Sequence, residues 1–248
     1  LQKGDALVKK KRGKVLGVLG GMGPLATQLF YRMVVEKTDA GSDQEHINMI
    51  ILNHATVPDR TVAIMNNDFE EILEMLVEDA KYLEAGGADV IAMPCNTAFA
   101  IFDQLQSSIN TPIINMIEAA AEQAAVLTSG KVAILATDGT VKTELYQKAL
   151  KERGIEPYVP SAQVQKQVMK LIYESIKESC GIDYEAIEAI DKEIKENGCE
   201  YAILACTELS CIKYIYGLSD KYIDAMEIMA RKAILMCDKD VKGEFLKQ

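Results

Sequence analysis

The chain holds only two histidines, His46 and His54, and no Cys-x-x-Cys pair among its six cysteines. That shortage leaves little from which to build a zinc site. Disulfide stapling is not needed either. A chain of 248 residues with 49% apolar content can bury a core without it, and no secretory leader is read at its start. Basic charge is scarce as well: 27 Lys and Arg against 37 Asp and Glu give a net charge of −10, the wrong sign for a nucleic-acid partner. No apolar run approaches the roughly 20 residues of a membrane span. The start, LQKGDALVKKKRGK, is basic but lacks the apolar stretch of a signal peptide. Residues 1–13 read as a disordered tail or an added remnant, with KKKR a solvated charge run. These absences point to reduced thiols and a cytoplasmic location.

What is present is an alternation of short apolar runs and longer helical patterns. KVLGVLG (14–20), INMIILN (47–53), DVIAM (89–93) and PIIN (112–115) read as buried parallel strands. From Asp68, apolar residues at Phe69, Ile72, Leu73, Leu76, Val77, Ala80 and Leu83 keep helical spacing. Asp68 with Glu71 resembles a capping box, and Gly86 and Gly87 end the pattern. The second half repeats the plan, with expected strands at 131–136, 156–159, 201–205 and 222–224. Asp183 is placed to cap a helix carrying Ile187, Ile190 and Ile194, which Gly198 ends. Offsets between the halves hold near one value: 117 for Lys14 to Lys131, 111 for Cys95 to Cys206, 109 for Asn115 to Asp224. The pattern is one duplication of an α/β unit, giving two pseudo-symmetric parallel-sheet domains. The expected division is 14–115 together with 221–248 against 116–220, the helical stretch near 225–237 returning to the first unit.

Three features carry chemistry. GVLGGMGPLAT (17–27) is a glycine-rich turn from strand to helix, suited to an anion at a helix N-terminus. It fits the dinucleotide fingerprint only loosely, since the second strand ends in Asn53 and His54 where that fingerprint wants an acid. A small carboxylate or a purely structural turn are the other readings. The second feature is a repeated cysteine. GGADVIAMPCNTA (86–98) and GCEYAILACTELS (198–210) each place a cysteine eight residues after a glycine, at Cys95 and Cys206. Both fall at the carboxyl end of a strand, where open α/β sheets bind ligands, and just where a helix N-terminus would favour thiolate. A lone buried cysteine would read as packing. Two equivalent ones, brought to opposite faces of one ligand, suit removal of a proton from one side of a carbon and its return on the other. Asn96, Thr97 and Thr207 could bind a carboxylate on which negative charge grows. The third feature is a pair of cations. Arg60, in a loop after the second strand, offers a planar fork for a carboxylate, or is a surface arginine paired with Asp59. Lys177 reads as a ligand or as a solvated lysine near a helix C-terminus.

GGMGPLAT (20–27), PDRT (58–61), PCNTA (94–98) and CTELS (206–210), in that order, resemble the PLP-independent aspartate/glutamate racemase family, and most closely its aspartate branch. The resemblance spans Lys14 to about Cys237. It implies an active site in an interdomain cleft, a homodimer, an amino-acid substrate, and neither metal nor PLP. It implies that Cys95 and Cys206 are the acid/base thiols. Met22, Asn96, Thr97, Thr137, Thr207 and Glu208 would line the substrate, with Arg60 and Lys177 holding its side-chain carboxylate. Glutamate racemases typically read Cys-Thr-His at the second cysteine. Cys206-Thr207-Glu208 therefore favours aspartate over glutamate, and the two cations favour a dicarboxylate over a hydantoin ring. Many relatives carry His four residues after the first cysteine, where Phe99 stands here. A carboxylate-binding relative without catalysis is the reading from outside the enzymes.

Overall fold

The structure is a computed structural model that describes residues 13–177 and 181–243, excepting the side chains of residues 176 and 177. The tail expected over 1–13 thus lies outside the described residues but for Gly13. The elements run in chain order as β1 (Val15–Gly20), α1 (Pro24–Lys37), β2 (Asn48–Asn53), α2 (Arg60–Asn66), α3 (Glu70–Ala85), β3 (Val90–Ala92), α4 (Phe102–Ser107), α5 (Met116–Leu127), β4 (Lys131–Ala136), α6 (Asp138–Thr143), α7 (Leu145–Lys151), β5 (Glu156–Tyr158), α8 (Ala162–Lys170), α9 (Tyr184–Glu196), β6 (Cys199–Ala205), α10 (Thr207–Tyr216), β7 (Tyr222–Asp224) and α11 (Ala225–Met236).

The strands form two parallel sheets, ordered β2-β1-β3 and β5-β4-β6-β7. In each, the first strand is central, the second lies to one side and the third to the other. The winding of the chain therefore switches sides of β1 between β2 and β3, and sides of β4 between β5 and β6. Such a reversal opens a crevice at the carboxyl ends of the strands. β1 is buried along its whole length and β4 nearly so, which is why both read as continuous apolar runs. One large apolar cluster runs from β1 through α5 to β4, β6 and α11, and a smaller one covers the β4–β6 face under α8 and α9. α5 touches α7, β6 and β7, while α11 touches α1 and β3.

The fourth strand of the first sheet shrinks to a single parallel bridge, Ile91 to Ile113. Pro112 lacks an N–H for the ladder. Two residues later Asn115 turns the chain into α5, its side chain accepting from the amides of Ile117 and Glu118. Asp224 does the same for α11 after β7, accepting from Met226 and Glu227. The duplication thus reaches the helix caps.

Two local expectations are corrected. The capping box at Asp68 and Glu71 does not form: α3 starts after Phe69 with no side-chain cap. The Asp68 amide is spent closing α2, donating to Ala63 O at 2.9 Å behind a left-handed Asn67. Arg60 begins a short helix and is not in a loop. Asp59 caps that helix through the Thr61 and Val62 amides at 2.8 and 3.1 Å. The Asp183 cap holds, accepting from Ala186, and Ile190 and Ile194 are buried with Ile187 partly so.

Candidate active site

Loops from the carboxyl ends of both sheets line one small cavity. Its walls are Met22, Asp59, Arg60, Thr61, Cys95, Asn96 and Thr97 from the first half, and Thr137, Cys206, Thr207 and Glu208 from the second. The structure therefore brings together every expected site residue except Lys177. Lys177 closes a π-helical segment, Leu171–Lys177, and its side chain lies outside the described residues. The space open to a water-sized sphere is about 10 Å³, room for about one water.

The glycine-rich turn is shaped by close approach. Gly21 has φ +99°, and a Cβ there would stand 2.4 Å from the backbone of His54. The Gly21 amide is already taken by Thr27 Oγ1 at 2.9 Å, and the same hydroxyl donates to Gly23 O at 3.0 Å. Pro24 supplies no amide. The first turn of α1 thus spends part of its anion-binding capacity on the protein itself. It also faces the protein's own carboxylate: Glu208 Oε1 lies 3.4 Å from where a Cβ on Gly23 would be.

The two cysteines are nearly inaccessible, at 4% and 5% exposure, but they occupy different settings. Pro94 folds the chain so that the Cys95 amide donates to Met93 O at 2.8 Å, and a 3-10 turn over Thr97–Ile101 follows. Cys206 is the residue before α10, extended at φ −149°. Its thiol donates to Glu208 Oε2 at 3.0 Å, and the Thr207 hydroxyl reaches the same oxygen at 3.3 Å. Cys95 instead neighbours the Arg60 guanidinium. Burial opposes charge on Arg60, but Cys95, Asp59 and Glu208 more than offset it, so its pKa stands above the ordinary arginine value. One thiol sits by a cation and the other by a carboxylate. Burial raises the thiol pKa of the three other described cysteines, Cys199, Cys211 and Cys237, the last two to about 12 and about 11.

Arg60 is held by backbone carbonyls. Its Nη1 donates to Val57 O and Pro58 O at 3.2 and 2.8 Å, and its Nη2 to Met22 O at 3.1 Å. Its Nε is buried without a hydrogen-bond partner. The fork therefore pins the Met22 loop with three of its five N–H groups, leaving Nε–H and one Nη2–H for another acceptor.

Sequence reading missed Asp59 and Thr61 in the lining, and Thr140, which bonds two lining threonines from outside it. Thr97, Thr137 and Thr140 form a triangle of hydroxyls with oxygen separations of 3.0 to 3.1 Å. Thr137 also caps α6 through the Thr140 amide. Thr140 lies one helical turn after Thr137, a spacing that puts both on one face; that was the available signal. Asp59 and Thr61 were missed because α2 was not foreseen. Phe99, the departure from the His of many relatives, does not line the cavity. It is buried and stacked on Phe102 at 5.4 Å between centroids. Among the described residues, no group of three or more His, Cys, Asp or Glu is arranged to hold a metal, and no helix is long and apolar enough to cross a membrane.

The sequence profile of Asp/Glu/hydantoin racemases matches residues 19–233. Among solved structures, an aspartate racemase from Picrophilus torridus superposes with a TM-score of 0.79 at 32% identity, covering 94% of this chain and 97% of its own. An aspartate racemase homologue from Pyrococcus horikoshii gives 0.73 at 28% identity, covering 92% and 100%. A broad specificity amino-acid racemase from Bacillus subtilis is 27% identical over 228 residues, 89% of this chain and 96% of the relative.

Proposed function

The chain belongs to the Asp/Glu/hydantoin racemase family, and from that premise we propose that this amino-acid racemase interconverts L- and D-aspartate through Cys95 and Cys206, without a cofactor. The observation that carries the reading is the setting of the two thiols. They follow corresponding strands of the two sheets, line one cavity, and carry opposite neighbours, Arg60 for Cys95 and Glu208 for Cys206.

In one direction of the reaction Cys95 is the base. Negative charge on its sulfur is met by Arg60, while Cys206 keeps its proton on the hydrogen bond to Glu208. The thiolate removes the Cα proton, and the electron pair passes into the α-carboxylate as an enediolate. Asn96, Thr97 and Thr207 donate to the oxygens where this charge grows. Cys206 returns a proton to the opposite face of Cα. Cys95 is then a thiol and Cys206 a thiolate, the state needed for the reverse reaction.

Charge at the site favours a substrate that brings its own cations or meets them there. Asp59 and Glu208 already stand near Arg60, so a dicarboxylate needs a second cation, the role that the family resemblance gives to Lys177. Aspartate is preferred to glutamate because Glu208 stands where glutamate racemases typically carry histidine. A likeness to glutamate racemases keeps glutamate as the competing substrate.

Incubation with L-aspartate in deuterated water, with no cofactor added, tests the reading. Deuterium at Cα together with loss of optical rotation is the expected result. Exchange with glutamate alone would overturn the substrate assignment. Binding of aspartate without exchange at Cα would make the protein a carboxylate-binding relative.

A further inference from the structure

Beside Asn96 lies a residue to which the mechanism above gives no part. Tyr146, on α7, is wholly buried, and its hydroxyl donates to Asn96 Oδ1 at 2.5 Å. Asn96 is itself 3% exposed, lines the cavity, and leaves its Nδ2 buried with no hydrogen-bond partner. We infer that Tyr146 is a positioning residue that fixes the orientation of the Asn96 amide, so that Nδ2 is presented to the substrate's α-carboxylate. This inference rests on the racemase reading.

An asparagine amide can sit either way round, and the two ends have opposite chemistry. With Oδ1 toward the cavity, the site would offer an acceptor to an anion and repel it. With Nδ2 toward the cavity, it offers two N–H donors. The phenol decides between them. It has one proton and, in a wholly buried place, must give it to an acceptor; Asn96 Oδ1 is that acceptor. In the flipped amide Tyr146 would receive a bond from Nδ2, and its own proton would need another oxygen. Burial, helped by Asp224 and by Cys206 when these are ionised, raises the phenol's pKa well above its ordinary value. It therefore stays a donor while the thiols exchange protons. An unmet buried N–H pair is unfavourable in the free protein, and a carboxylate that meets it recovers the loss. Since that carboxylate gains charge as the Cα proton leaves, the donor acts more strongly on the transition state than on bound substrate.

Tyr146→Phe removes the hydroxyl and keeps the ring. With aspartate, kcat/KM should fall about tenfold, about 1.4 kcal/mol, with the loss on kcat more than on KM. In an Asn96→Ala background the same change should cost nothing further, because the group being oriented is gone. A purely structural tyrosine would cost as much in either background, and that result, or undiminished activity in Tyr146→Phe, would overturn the inference. A second measurement does not depend on turnover. The side-chain amide 15N–1H signals of Asn96, identified by their loss in Asn96→Ala, should shift when aspartate is added to the wild type. Unmoved signals despite aspartate binding would overturn the inference. Because this arm needs only the wild type and Asn96→Ala, it holds even if Tyr146→Phe does not fold. Absence of Cα exchange in the wild type would strike the racemase reading alone, while the amide signals would still report on Asn96.

Discussion

The thiol of Cys206 donates to Glu208 two residues on, at 3.0 Å, with both groups buried. The first turn of α10 makes this possible, since Cys206 is its cap and Glu208 its second residue. Glu208→Gln keeps the shape and removes the charge that holds the proton on sulfur. Enantiomers have equal free energy, so the kcat/KM values of the two directions must stay equal. Both should fall about 10- to 100-fold, and the pH profile of kcat should move to lower pH because a negative neighbour is gone. Unchanged pH profiles would remove Glu208 from the proton path.

Cys95→Ala and Cys206→Ala should each abolish racemisation, measured by polarimetry. Each variant removes one of the two groups that act on opposite faces, so the remaining thiol can exchange a proton with solvent but cannot invert the centre. Full inversion in either variant would end the two-thiol mechanism.

Arg60→Lys keeps the charge but loses the planar fork that meets Met22, Pro58 and Val57 carbonyls. KM for aspartate should rise about tenfold or more in steady-state kinetics, with a smaller change in kcat, if the guanidinium clamps the substrate side chain. An unaltered KM would confine Arg60 to holding the Met22 loop.

Thr140→Val replaces one corner of the hydroxyl triangle by a methyl of similar volume. Thr97 and Thr137 come from different halves of the chain and both bond Thr140, so the change weakens the link between them. A loss of about 1–2 kcal/mol is expected, seen as a lower urea midpoint with the slope unchanged.

Asp224 is fully buried; burial raises its carboxyl pKa, and its bonds with Ser210 and the α11 amides only partly counter this. A carboxyl with a raised folded pKa contributes most below its unfolded value, near 3.8. That contribution is lost as pH rises through the folded value. Asp224→Asn keeps a capping oxygen and removes the buried charge. Its urea midpoint should exceed the wild type's at pH 7, and the advantage should vanish below about pH 3.8. A lower midpoint at pH 7 would show that the charge is stabilised by groups such as Lys213.

The central strands of both sheets were legible because burial on both faces writes them as continuous apolar runs, as in Val15–Gly20 and Lys131–Ala136, whereas β2, read as buried, is an edge strand that stands partly exposed. Cys95 and Cys206 were legible because a duplication repeats their setting. What stayed hidden depends on contacts made across the fold. Residues 112–115 have a strand's composition but meet Ile91 only at a bridge. Arg60 opens a helix of seven residues, too short to show a period. Asp68 looks like a cap until the end of α2 claims its amide. Tyr146 and Asn96 are 50 positions apart, and nothing local in LYQKAL announces that its tyrosine serves a loop of the other half.

The cavity between the cysteines admits about one water-sized sphere, far less than an amino acid needs. Entry of substrate therefore waits on a movement of the protein, such as parting of the threonine hydroxyls. Association is gated: its rate constant is the diffusional encounter rate multiplied by the fraction of time the walls stand open. On the proposed mechanism, the closure that keeps water from the carbanion would also cap how fast substrate arrives, a ceiling on kcat/KM below the encounter limit.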